Sequence, residues 1–187
     1  MANAPSQFLQ ARNGVRLEIR PLTAAETAGL QRFNAGLSPA TRDLFLPHAY
    51  DEGTLGRYVE RSAAGLDRSF VLCHGAEVVG YFFLWEFSEP VPLLGVGLAD
   101  AWQGQGLGEP LMQRLIAEAR LGKRAGVELT TVTTNTRAYR LYLRVGFQLV
   151  GEVDNVAGDG RVVREFRLFL PLQPGAHPPV REFRPPV

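Results

Sequence analysis

One cysteine, Cys73, stands in a chain of 187 residues. A lone cysteine excludes an intrachain disulfide framework and a cysteine-rich zinc site, and no metal is expected. Its setting, Phe70-Val71-Leu72-Cys73, is that of a buried strand residue rather than a reactive thiol. Long hydrophobic runs are missing too. No apolar stretch approaches the ~18 residues that cross a bilayer, so no membrane partner is expected. The opening residues Met1-Ala2-Asn3-Ala4-Pro5 carry neither the basic nor the apolar segment of an export signal. A reducing, cytoplasmic location is the expectation. Nor is there an excess of one charge: Lys and Arg number 20, Asp and Glu 19. A nucleic-acid-binding face usually skews that balance, so nucleic acid is not an expected partner. No segment repeats another.

What remains is an ordinary globular composition, 45% apolar and 21% charged, at a length suited to one domain. The segment Val15 to Arg20 alternates apolar and charged residues, as a half-buried strand does. Pro21 closes it, and Thr23 with Glu26 has capping-box spacing for a following helix. A loop from Ser38 to His48, with room for a helical turn, leads to a helix over Asp51 to Ala64. A meander follows: Arg68 to His74, then the continuously apolar Val78 to Phe87, then Val91 to Ala99. Gly95 and Gly97 weaken that last strand unless the backbone needs a bulge or another group approaches closely.

The period then changes. Leu107, Leu111, Met112, Leu115, Ile116 and Ala119 recur at helical spacing, with Glu109 and Pro110 in the first turn. A strand at Val127 to Val132, a helix from Thr136 to Val145 ended by Gly146, and strands at Phe147 to Val153 and Arg161 to Leu170 complete the pattern. The order is β-α-α-β-β-β-α-β-α-β-β. The strand-helix-strand passage over 91–132 implies a right-handed crossover and a locally parallel pair in a mixed sheet. Residues 1–14 are set apart as an N-terminal extension, 15–170 as the domain, and 171–187 as an irregular proline-rich tail.

Chemistry concentrates where the strand Val91 to Ala99 meets its helix. Gln103-Gly104-Gln105-Gly106-Leu107-Gly108 is a glycine-rich turn at a helix start. Such turns bring backbone N–H groups together at the positive end of the helix dipole, which binds phosphate. A Walker A loop would need Gly-Lys-Ser/Thr, where this chain has Gly108-Glu109-Pro110. The dinucleotide fingerprint needs two residues between its last glycines, and only Leu107 separates Gly106 from Gly108.

The spacing that does fit is Q/R-x-x-G-x-G/A, at Gln103, Gly106 and Gly108. Downstream, Asn135-Thr136-Arg137-Ala138-Tyr139-Arg140-Leu141-Tyr142-Leu143-Arg144-Val145-Gly146-Phe147 follows N-x-x-A-x-x-L-Y-x-x-x-G-F. Together these resemble the GCN5-related N-acetyltransferase (GNAT) superfamily over residues 68 to 153, and in element order before that. The resemblance implies an α/β (α+β) fold with a mixed, mostly antiparallel sheet of about seven strands and about four helices. The sheet would splay between the fourth and fifth of the strands named above, Val91 to Ala99 and Val127 to Val132.

The resemblance also implies acetyl-CoA as co-substrate. Its pyrophosphate would sit on the turn formed by Gln103, Gly104, Gln105, Gly106, Leu107 and Gly108, and its pantetheine arm against Val96 and Leu98. Leu98 N–H would face the thioester carbonyl, Asn135 would contact the arm or fix a water, Ala138 would lie along the arm, and Tyr142 would protonate the departing thiolate. The acceptor would be a primary amine of a small molecule or peptide, attacking directly. Family members often dimerise through late strands, so a homodimer is an expectation. The base is open. The cofactor strand carries no acid, leaving Glu86 in Leu84-Trp85-Glu86-Phe87, or His48, or no side chain at all. Arg42, His48 and Tyr50 are candidates for the acceptor wall. A CoA-binding module without turnover is the alternative that the missing acid invites.

Overall fold

The computed structural model describes residues 7–187; the first six residues of the expected extension lie outside it. The chain runs through β1 (Phe8–Gln10), β2 (Arg16–Pro21), α1 (Thr27–Gly36), α2 (Pro39–Leu44) and α3 (Glu52–Ala63). Then come β3 (Arg68–His74), β4 (Glu77–Trp85), β5 (Leu93–Leu98), α4 (Gly108–Leu121), β6 (Gly126–Val132), α5 (Thr136–Val145), β7 (Gln148–Val156) and β8 (Val162–Pro171). The strands form one sheet of eight in the order β1-β2-β3-β4-β5-β6-β8-β7. The strand beyond the seven expected is β1, which pairs antiparallel with β2 from within the stretch set apart as an extension.

Local chemistry explains several helix ends. Ser38 and Asp51 accept hydrogen bonds from the N–H groups of Thr41 and Thr54, capping α2 and α3, and each such cap stabilises a helix by ~1 kcal/mol. Gly146 ends α5 in the left-handed conformation, φ 107°, which glycine adopts without Cβ strain. Two cores form on opposite faces of the sheet. One packs Leu107, Leu111, Met112, Leu115 and Ile116 of α4 and its approach against Phe82, Leu84, Leu94, Leu129 and Leu168. The other packs Leu30 and Phe33 of α1 and Leu55 and Tyr58 of α3 against Val71, Tyr81, Phe83 and Trp85. The apolar run of β4 serves both, which is why it does not alternate.

The sheet opens in its middle. Strand β5 stays in register with β4 from Trp85↔Leu93 to Gly80↔Leu98, and β6 stays with β8 as far as Val132↔Glu165. Between β5 and β6 the parallel pairing is confined to Leu93↔Glu128. Each strand follows its outer neighbour, and the right-handed twist carries the two apart.

The strand glycines answer to the second of the two expectations raised by the sequence. The β4–β5 register runs without a bulge. A Cβ on Gly95 would lie 2.2 Å from Cζ of Phe83, and one on Gly97 would lie 2.2 Å from Cε1 of Phe45. Aromatic rings lie across the strand at both positions, and any larger residue would evict them.

Candidate acyl-transfer site

The glycine turn has the geometry that its sequence requires. Gly104 and Gly106 both take positive φ, 79° and 78°, a region costly for other residues. Leu107 stands at the N-cap of α4 and no side chain caps the helix, so its first N–H groups remain directed out of the helix end. Gln103 Nε2 donates to Leu98 O at 3.2 Å and to Thr41 Oγ1 at 3.1 Å, tying the turn to the end of β5 and to α2. Gln105 turns its carbonyl to Arg12 N–H at 2.9 Å and does not line the cleft. Gly108 lets α4 approach α5: a Cβ there would lie 3.0 Å from Leu141.

From this turn a cavity of about 550 Å³ runs into the gap between β5 and β6. Ala99 N–H bonds Val79 O at 2.9 Å, which sets the phase of the β4–β5 ladder. In an antiparallel pair alternate residues bond the same neighbour. Gly95 and Gly97 therefore turn their polar groups to β4, while Val96 and Leu98 turn theirs to the open side. Both line the cavity.

Helix α5 brings Asn135, Ala138 and Tyr142 to the same cavity. Asn135 has a structural duty there, its Oδ1 accepting from Ala138 N–H at 3.3 Å and capping the helix. The Tyr142 hydroxyl is buried and hydrogen-bonds Thr131. Burial, reinforced by the negative charge of Glu165, pushes its pKa up to about 12. It therefore holds its proton across the neutral and mildly alkaline range.

Other expected residues lie elsewhere. Glu86 follows β4 at positive φ, 54°. Its carboxylate pairs with Arg181 at 2.7 Å, and it is not among the residues lining the cavity. The hairpin end turns its side chain to the tail rather than to the gap. Arg42 borders the cavity, but its guanidinium donates to the carbonyls of Asn34, Ala35 and Leu37, satisfying the end of α1. His48 and Tyr50 lie in the core on the α1–α3 face. The His48 ring stacks on Tyr58 at 4.3 Å, meets Tyr50 at 4.5 Å and approaches Tyr81 Oη at 3.3 Å. Neither lines the cavity.

Burial lowers the His48 pKa to about 4. The unfolded chain protonates this residue near 6.5, so below that pH it binds a proton that the folded state refuses. Stability is complete above pH 6.5 and falls as pH drops from 6.5 to 4, by about 3 kcal/mol at 1.4 kcal/mol per unit. Urea unfolding of the wild type and His48→Phe at pH 7 and pH 4.5 checks this. The gap between the two proteins should shift in favour of Phe at the lower pH, and an unchanged gap removes His48 as the cause.

Three contributors escaped the sequence reading. Arg12 lies along the glycine turn, its backbone bonded to Gln105 O and its Nη1 3.4 Å from Gly104 O. Arg137 reaches the same turn, its Nη2 lying 3.3 Å from where a Gly104 Cβ would stand. Arg137 was legible in principle, one residue before Ala138 in the downstream motif. Arg12 carries no local signal at all. The third is Glu165 of β8, which lines the cavity with Phe183, Arg184 and Pro185 of the tail.

A glycine turn at an uncapped helix start thus opens onto a splayed parallel strand pair, an arrangement able to hold an anionic group beside an open strand edge. The model of the acetyltransferase (GNAT) family matches residues 31–147. The chain belongs to the acetyltransferase (GNAT) family. A sequence search of curated proteins finds no match. Solved structures of similar fold include the GNAT domain of S. lividans PAT, with TM-score 0.73 and 16% identity, covering 88% of this chain and 96% of that one. The structure of yncA from Salmonella typhimurium with its cofactor acetyl-CoA has TM-score 0.67 and 22% identity, covering 88% and 99%. Spermidine N-acetyltransferase from Vibrio cholerae, in complex with CoA and spermine, has TM-score 0.67 and 18% identity, covering 83% and 95%. At these identities the likeness is one of fold.

Proposed function

We propose that this acetyltransferase moves an acetyl group from acetyl-CoA to a primary amine of a small molecule or peptide, by direct attack in a ternary complex. The observation that carries the reading is the gap between β5 and β6. It joins the uncapped start of α4 to Tyr142 within one cavity. The residues present fit the co-substrate: N–H groups and the cations Arg12 and Arg137 for its phosphates, and the open edge of β5 for its pantetheine amides.

Acetyl-CoA supplies an acyl group activated as a thioester. The protein's part is then positional and electrostatic. Leu98 N–H, turned to the gap, is suited to stabilise the charge that develops on the carbonyl oxygen. Tyr142, still protonated, is suited to give its proton to the departing thiolate. No covalent acyl-enzyme is called for, and Cys73 is buried within β3.

Incubation with acetyl-CoA and a panel of amines, following thiol release and product mass, tests the reading. Thiol release with acetylated amine is expected for at least one class. Tight acetyl-CoA binding with no thiol release from any amine would make the protein a CoA-binding module instead.

A further inference from the structure

The splayed gap has two mouths, and the residues at each differ in chemistry. Side chains opposite one another in an antiparallel pair share a face. Thr131 and Tyr142 lie on the α4–α5 face, Tyr142 being part of that core. Thr130 and Val132 point to the other face, and so does Glu165, which stands opposite Val132. The thiolate proton donor and this carboxylate therefore flank the gap from opposite sides of the sheet. Both line the same cavity.

Glu165 is held and not neutralised. Its Oε2 accepts from Asn155 Nδ2 at 2.8 Å, and the same amide reaches Thr130 Oγ1 at 3.2 Å. Among the described residues no arginine or lysine pairs with it. The other carboxylates at the cavity are differently placed: Asp43 is exposed and pairs with Arg161 at 3.3 Å, and Glu109 is exposed on the first turn of α4. The walls on the Glu165 side are apolar and aromatic, with Phe45, Phe83, Trp85 and, from the tail, Phe183. Val156 N–H donates to Phe183 O at 3.0 Å, and the Arg167 guanidinium lies 5.1 Å from the Phe183 ring centre. The tail is thus a fixed wall of this compartment. Arg161 and Arg184 stand at its rim.

Building on the N-acetyltransferase reading, we propose that Glu165 receives the acceptor's ammonium group and takes its proton, and that the acceptor is a monocationic amine on an apolar or aromatic body. One unpaired carboxylate accommodates one ammonium. Aromatic faces suit the apolar body and the flank of the cation, whereas Asp43 is already paired with Arg161, which leaves the further charges of a polyamine without a partner. The proton count closes. Of the three ammonium protons, one goes to Glu165 and leaves to solvent, freeing the nitrogen lone pair. As that lone pair forms the C–N bond, the C–S bond breaks and the sulfur takes the Tyr142 proton. The second ammonium proton returns to Tyr142, and the third stays as the amide N–H.

The test compares wild type, Glu165→Gln and Glu165→Asp with acetyl-CoA and either phenethylamine or spermidine, from pH 7 to pH 10. Tyr142 from α5, Asp43 from α2, Arg161 from the β7–β8 hairpin and Arg184 from the tail share the cavity, and all are present in every arm. Wild type should prefer phenethylamine. Glu165→Gln should lower its kcat/KM by about 10- to 100-fold at pH 7, the range of a lost charge-assisted hydrogen bond. The deficit should shrink toward pH 10 as the free amine becomes abundant, Glu165→Asp should retain part of the activity, and acetyl-CoA affinity and Tm should not change. A purely structural role would not give a deficit that shrinks with pH. Turnover of phenethylamine unaffected by Glu165→Gln overturns this assignment alone, and a preference for spermidine overturns the acceptor class. Failure of the wild type to release thiol with any amine overturns the N-acetyltransferase reading and this one with it.

Discussion

Tyr142→Phe should lower kcat by about 10²- to 10⁴-fold, the range for loss of a positioned general acid, while the Kd for acetyl-CoA stays within a few-fold. The substitution removes one oxygen from a buried ring and leaves the walls of the cavity in place. The pH dependence follows from the same burial. With its pKa pushed up to about 12, Tyr142 remains a proton donor through pH 10, so the wild-type rate should show no alkaline loss below that value. A calorimetric titration with acetyl-CoA and a stopped-flow or steady-state thiol assay check the two halves separately. Equal loss of binding and turnover would mean that Tyr142 only shapes the cleft.

Arg167→Met should destabilise the fold by about 3–5 kcal/mol, the range for removing one partner of a buried ion pair. Glu128 of β6 is fully buried, and Arg167 Nε donates to its Oε1. Arg181 Nε faces its Oε2 at 3.3 Å, close enough for attraction though not aligned as a hydrogen bond. Burial raises the Glu128 pKa against the pull of both arginines, so its charge is held only by their presence. Arg167 also donates to Pro179 O and stacks on Phe183, so its loss loosens the tail. Adding Glu128→Met to the variant should recover most of the loss, because no charge is then left buried. Urea unfolding of the two single variants and the double variant measures the coupling; a cost below about 1 kcal/mol for Arg167→Met would show that the cluster contributes little.

The elements nearest the chemistry were the most legible. Alternating glycines with helical spacing from Leu107 located the turn and α4, and the downstream motif located Tyr142, because a turn and a helix cap are local chemistry. Gly95 and Gly97 marked β5 as unusual, but whether a bulge or a close approach required them depended on Phe83 of the neighbouring strand and on Phe45, some fifty residues before Gly97. His48 and Tyr50 looked like loop residues facing an acceptor. They are instead part of an aromatic core, since α3 and β4 fold over them. Glu86 failed as a candidate for the cavity because the tail, irregular as its prolines suggest, returns Arg181 to it.

By itself the sequence determined most of the order of elements, the glycine turn before α4 and the place of Tyr142 on its helix, since each depends on residues close together along the chain, whereas β1 went unread. Only the tertiary structure decided which carboxylate enters the gap. Glu165 is brought opposite Val132 by the β6–β8 pairing and held by Asn155 from the next strand. Its position depends on register between distant segments, which no local spacing records.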